Sequence, residues 1–288
     1  MAWFRSLTAI GVGAVLLFTG VPAAAAATAT VDVGGQVSAP ADYTAADLAQ
    51  LGETSYPVTN SPRTVTGTSL YAVVTKAAPI LPPGKNTSLR ALVRVTGGHG
   101  QSTTFALGEL DPAFGNHPAV LFSLPGNKIG LIVPGDRDRS RSLTDVTAVR
   151  VSVSTASAAD VAPGAVRIIG PHRTVTLPGW LLARLPARTV HVSFLAGTAS
   201  ETHDETGPAL STVLLVAGIP PLPDTSVVAV GDDGYGAAVT LGEAKAGGRP
   251  LLLSTVEDGV PLDRPRLVPD GDVKGGRYVS GVVTLQAG

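Results

Sequence analysis

Four basic side chains, Arg264, Arg266, Lys274 and Arg277, gather in one C-terminal stretch that also carries Asp263, Asp270 and Asp272. Cations at that density hold an anion when they converge, and make an ordinary neutralised turn when their own carboxylates face them. A second polar knot, Glu201, His203, Asp204 and Glu205, offers donors suited to zinc or calcium. It has one imidazole and no spacing that fixes several ligands on one element, so it reads as a solvated charged loop. The D-x-D pairs Asp136/Asp138 and Asp270/Asp272 look like the start of calcium loops, but Thr147 stands where the glutamate closing an EF-hand would follow Asp136. Both pairs read as turns. The GDDGYG run at residues 231–236 precedes a strand, so it presents no helix N-terminus to a phosphate and reads as a hairpin turn. No G-x-S-x-G elbow and no acid/base pair at a hydrolase spacing is found.

Composition narrows the chemistry further. The chain has no cysteine, which removes disulfides, iron–sulfur clusters, thiolate metal ligands and thiol nucleophiles together. With 21 Lys and Arg against 22 Asp and Glu, the net charge of −1 provides no positive field for nucleic acid or an anionic membrane. Hydrophobic residues at 44% over 288 positions mark a globular chain with material for one large core or two modest ones. Residues 1–27 read as a secretory signal peptide: one charge at Arg5, an apolar run over 7–21, Pro22, then small-x-small sites. That run is about 15 residues, short of the roughly 20 that a membrane span needs. The expected location is secreted, with no stable membrane span after cleavage.

The elements that would position these groups come twice. VDVGG at Val31 pairs with VRIIG at Val166, an offset of 135; Leu48 and Leu51 pair with Leu182 and Leu185, an offset of 134. Thr66 of TGTSLYAVVTKAAPI pairs with Thr206 of TGPALSTVLLVAGIP (140), Leu107 of LGE with Leu241 of LGE (134), and Val133-Pro with Val268-Pro (135). Landmarks kept in order with loop-sized slippage predict a tandem duplication: unit one over 28–153, a small, polar, Pro-broken linker over 154–165, and unit two over 166–288. Thr44 and Asp47 form a capping box for a short helix, and SLYAVVTKAA and ALSTVLLVAG carry apolar residues at helical spacing. Two short helices are expected per unit. The rest alternates as strand and turn, with hairpins at GGHG, DDGY, Pro125-Gly-Asn127 and Glu257-Asp-Gly259. The expected fold class is α+β and strand-rich.

The order of motifs in the second unit is similar to that of the sulfite oxidase-like, molybdopterin-binding oxidoreductases. It has a strand ending in Gly, a short helix, a small-residue loop, a helix, the DGY hairpin of Asp233, Gly234 and Tyr235, an L-x-E turn, then PRLVP and GGRYV between Pro265 and Val279. The first unit keeps the scaffold but has His99-Gly100-Gln101 for DGY and GLIVP at Gly130 for PRLVP. The resemblance implies two copies of that fold, the first degenerate. It also implies a molybdenum-ligating cysteine in a loop reading approximately Cys-Ala-Gly, where this chain has Leu195-Ala196-Gly197. Leucine has no donor atom, and the hydroxyls of Ser193, Thr198 and Ser200 are poor substitutes for a soft thiolate; Val58-Thr59-Asn60 of the first unit offers nothing better. The basic stretch would lie by the pterin phosphate, making Arg264, Arg266, Lys274 and Arg277 anion-site candidates. Family members exported folded carry twin-arginine signals, whereas Arg5 stands alone. The resulting expectation is an exported, cofactor-free binding or structural module whose partner is a small molecule or envelope protein. The alternatives are an active molybdopterin-dependent oxidoreductase with an atypical metal site, and an unrelated extracellular ligand-binding module.

Overall fold

The computed structural model describes residues 29–288; the expected signal peptide over 1–27 lies outside the described residues. The first half contains β1 (Thr30–Gly35), β2 (Ala41–Thr44), α1 (Ala45–Gln50), β3 (Glu53–Pro57), β4 (Thr64–Ser69), α2 (Leu70–Lys76), β5 (Ala91–Gly97), β6 (Ser102–Ala106), α3 (Leu107–Leu110), β7 (Val120–Leu124), β8 (Lys128–Ile132) and β9 (Val146–Val153). The second contains β10 (Val166–Ile169), β11 (Thr174–Leu177), α4 (Gly179–Leu182), β12 (Ala187–Ala196), β13 (Ala199–Pro208), α5 (Leu210–Val216), β14 (Ser226–Gly231), β15 (Gly236–Thr240), α6 (Leu241–Lys245), β16 (Leu251–Glu257), β17 (Val260–Pro269) and β18 (Val282–Ala287). The fold is strand-rich α+β with four sheets. No helix among the described residues is long and apolar enough to cross a membrane.

Each half has one five-stranded and one four-stranded sheet. The orders are β2-β1-β9-β5-β6 and β3-β4-β7-β8 in the first half, and β11-β10-β18-β14-β15 and β12-β13-β16-β17 in the second. The strand orders therefore coincide position by position, down to the parallel pairing of β1 with β9 and of β10 with β18. The local signals explain the elements. Thr44 caps α1, its N–H donating to Asp47 Oδ2 at 2.9 Å while its hydroxyl accepts from Asp47 N at 3.2 Å. On α2 the apolar spacing buries Leu70, Val73 and Val74; on α5 it buries Leu210, Val213 and Leu214. Each half carries one more helix than the spacing predicts: the LGE motifs, read as turns, are α3 and α6, and their glutamates are buried.

The core of the first half is built wholly from its own residues, whereas that of the second also takes in Leu89 and packs against Phe114. A smaller cluster joins Leu92, Ala106 and Ala156 to Val228, Val230 and Ala238 between the two five-stranded sheets. The connecting segment over 154–165 forms no helix or strand, and its start is pinned: Ser154 N donates to Arg90 O at 3.1 Å and Arg90 Nη1 donates to Ala156 O at 2.8 Å. Beyond the pin, Ser157, Ala158, Asp160 and Ala162 are exposed. Limited proteolysis is expected to cut first within 157–162, and because Leu89 and Phe114 are seated in the other half, the two fragments should co-elute in gel filtration. A first cut inside either half, or separation of the fragments, would contradict this packing.

Candidate functional site

At the seam between the halves lie two buried arginines, each held by its own half's carboxylates. Arg141 donates from Nη1 to Glu109 Oε1 at 2.7 Å and from Nη2 and Nε to Asp136 at 2.7 and 2.9 Å. Arg277 donates from Nη1 to Glu243 Oε2 at 2.8 Å and from Nη2 and Nε to Asp272 at 2.5 and 2.8 Å. His117 Nε2 lies 2.9 Å from Asp136 Oδ1, and Arg249 Nη2 lies 2.7 Å from Asp272 Oδ1 in the matching place. Asp136 and Asp272, read from the sequence as turn residues, are thus buried ion-pair acceptors.

The seam is reciprocal. A Cβ on Gly108 would sit 2.7 Å from Arg277 Cδ, and one on Gly242 would sit 2.7 Å from Arg141 Cδ, so each half presents a bare glycine to the other half's arginine. The backbones cross in the same manner: Val273 N donates to Phe114 O at 2.7 Å and Arg137 N donates to Ala246 O at 2.8 Å. Contacts of i with j and of j with i are the pattern of a two-fold interface.

Electrostatics follow from this burial. Desolvation pushes the Glu109 carboxyl up to about 7, Arg141 pulling against it and Glu243 adding to it. Burial also pushes Glu243 up, but Arg277 and Arg249 outweigh it and hold that carboxylate below its usual range. For Arg277, desolvation opposes the charge and the Asp272 and Glu243 carboxylates outweigh it, keeping the guanidinium cationic.

The four basic candidates do not form one site. Arg277 is fully buried in the seam. Arg264 and Arg266 share a surface cleft of about 370 Å³ with Asp232 and Asp263. There Arg264 Nε pairs with Asp232 at 3.1 Å, and Arg266 pairs with Glu205 at 3.0 Å and also with Glu257. Lys274 is half-buried and bridges to Leu195 by backbone. Leu195 itself is half-buried near the tip of the β12–β13 hairpin, its N–H donating to Val273 O at 2.9 Å. Thr59 of the first half donates likewise to Pro134 O at 2.8 Å. Beside Leu195, Phe194 packs on Tyr278 with ring centroids 4.3 Å apart, over Gly275. The expected charged loop is instead strand β13, alternating Glu201, His203 and Glu205 on one face. His203 Nδ1 lies 2.8 Å from Asp258 Oδ2, and this hydrogen bond raises the imidazole pKa. Among the described residues no group of three or more His, Asp or Glu is arranged to hold a metal ion.

Fold and site together define a strand-rich α+β chain whose halves share one connectivity and meet at an arginine–carboxylate seam. No family model and no curated protein matches the chain. Among solved structures it is similar to the crystal structure of the sulfane dehydrogenase SoxCD from Paracoccus pantotrophus, with a TM-score of 0.37 and 17% identity over 48% of this chain. The match covers 41% of that chain, so less than half of the neighbour's length is spanned.

A pH dependence follows from Glu109. Its folded pKa is raised, so the stability it contributes is complete below its unfolded value near 4.5 and is lost as pH rises through about 7. Thermal unfolding followed by circular dichroism should therefore show the parent losing stability from about pH 5 to about pH 8, and Glu109→Gln losing less of it. The same pH slope in both proteins would refute the assignment.

Proposed function

We propose that this chain is an exported, tandemly duplicated relative of the sulfite oxidase-like molybdopterin-binding family that works without the cofactor, as a binding or structural module. One observation carries the reading: the chain has no cysteine, and Leu195, whose side chain has no donor atom, stands in the Leu-Ala-Gly segment where the resemblance implies the metal-ligating cysteine. The ordered DGY, PRLVP and GGRYV motifs support the kinship, and the shared strand order and reciprocal seam support the duplication.

The residues at hand do not fit a molybdopterin group. The Leu195 amide is spent on Val273 and its side chain is apolar. Arg277, expected beside a phosphate, is neutralised within the seam by Asp272 and Glu243, and Arg264 and Arg266 already face carboxylates. A phosphate at Arg277 would have to displace a buried ion pair, leaving a charge uncompensated at a cost of about 3–5 kcal/mol, and one at Arg264 or Arg266 would compete with carboxylates already paired there. The residues are therefore read as structural, and the partner as a small molecule or an envelope protein bound elsewhere on the chain.

Elemental analysis of protein taken from its own secretion route, with intact mass, tests this. Expected are no stoichiometric molybdenum or tungsten, a mature N-terminus within 24–30, and still no metal in Leu195→Cys. Stoichiometric molybdenum in the parent would overturn the reading; its appearance only in the cysteine variant would show that the pterin pocket survives and overturn the misfit.

A further inference from the structure

We infer that a cleft between the two halves, walled by Arg94 and Arg173, binds a small amphipathic anion. The cleft is lined by the shorter of two corresponding connections that differ between the halves. The chain between α2 and β5 runs over residues 77–90, whereas that between α5 and β14 runs only over 217–225, which accounts for five of the six positions by which the landmark offset drops from 140 to 134. The longer connection reaches over the seam and plants Leu89 in the core of the second half. The shorter one sends nothing back: the first half's core holds no residue of the second.

The opening is a cleft of about 530 Å³, within the range of small-molecule sites. One wall is the sheet surface of the first half, with Leu92 and Arg94 of β5, Thr104 of β6 and Ser152 of β9; the other is the β10–β11 turn and the short connection. A narrower groove of about 230 Å³ continues it past Ser152 and Ser226. Leu92, Ile219 and Leu222 supply apolar surface, and Leu222 is 57% exposed at the rim.

Arg94 donates to Ser102 Oγ at 2.8 Å and Arg173 lies against Gly218, but among the described residues neither forms an ion pair with a carboxylate. His172 stands beside them, Asp224 lines the loop side, and Gly288 O accepts from Ser226 N and Oγ. Two guanidiniums in no ion pair line the same cleft as Leu92, Ile219 and Leu222, which suits a molecule with one anionic head and a hydrocarbon or aryl body. Both arginines can donate bidentate hydrogen bonds to a carboxylate, sulfonate or phosphate head.

The inference rests on the reading of the chain as a binding module, but its test is separate: metal content decides that reading, and the titration decides the cleft whatever the metal content. The mature full-length protein is titrated with anilinonaphthalene sulfonate, then challenged with octanoate and with octyltrimethylammonium. Expected are one saturable site, displacement by octanoate and not by the cation, and affinity weakened about tenfold by Arg94→Ala and by Arg173→Ala. Thr104→Trp, which fills the cleft, should abolish binding; should that variant misfold, the two exposed arginines decide alone. Equal affinity in the parent and both arginine variants, or equal displacement by octyltrimethylammonium, would overturn the assignment.

Discussion

Two guanidiniums without access to water govern how this chain is put together. Taking each of Arg141 and Arg277 out of solvent costs several kcal/mol, offset only when hydrogen-bonded carboxylates surround it. Glu109 and Asp136 meet that demand in the first half, Glu243 and Asp272 in the second. The demand reaches outward from there. α3 and α6 exist where they do because they hold the two glutamates, and Gly108 and Gly242 stay bare because an arginine from the other half lies on them. Each guanidinium is paired by its own half but sealed by the opposite one, so neither half shields its ion cluster alone. The seam is thus a covalently tethered version of a two-fold dimer interface, with its ionic content buried.

Much of the scaffold was legible in the amino-acid order because local chemistry dictated it. The Thr44–Asp47 cap, the apolar spacing of α2 and α5 and the turn residues of the hairpins all act over a few positions. The seam was not legible, for a physical reason. Charged residues are mostly at the surface, so Asp136, Asp272 and the two LGE glutamates were read as turn chemistry and Arg277 as an anion ligand. Their meaning depends on partners far off in sequence: Glu109 with Arg141, and Glu243 with Arg277. A usable signal did exist, since Asp136 precedes Arg141 as Asp272 precedes Arg277, each after a Val-Pro and each following an LGE. A carboxylate and an arginine kept at one spacing in both halves point inward, because a solvated turn has no need of that pairing.

The one-sided plug at Leu89 has a consequence for how the molecule comes into being. Residues 29–153 emerge before the rest of the chain, and their core takes in no side chain from the later half. At that stage Leu89 and Phe114, destined for the other core, have nothing to cover them, and Arg141 still lacks the Gly242 lid. Without the second half, the first presents an apolar patch and an unsealed charge, the kind of surface on which aggregation and chaperone capture act. The core of the second half is incomplete until Leu89 docks. The two halves are thus unequal in what each needs from the other: the leading half supplies the peg and the trailing half the socket.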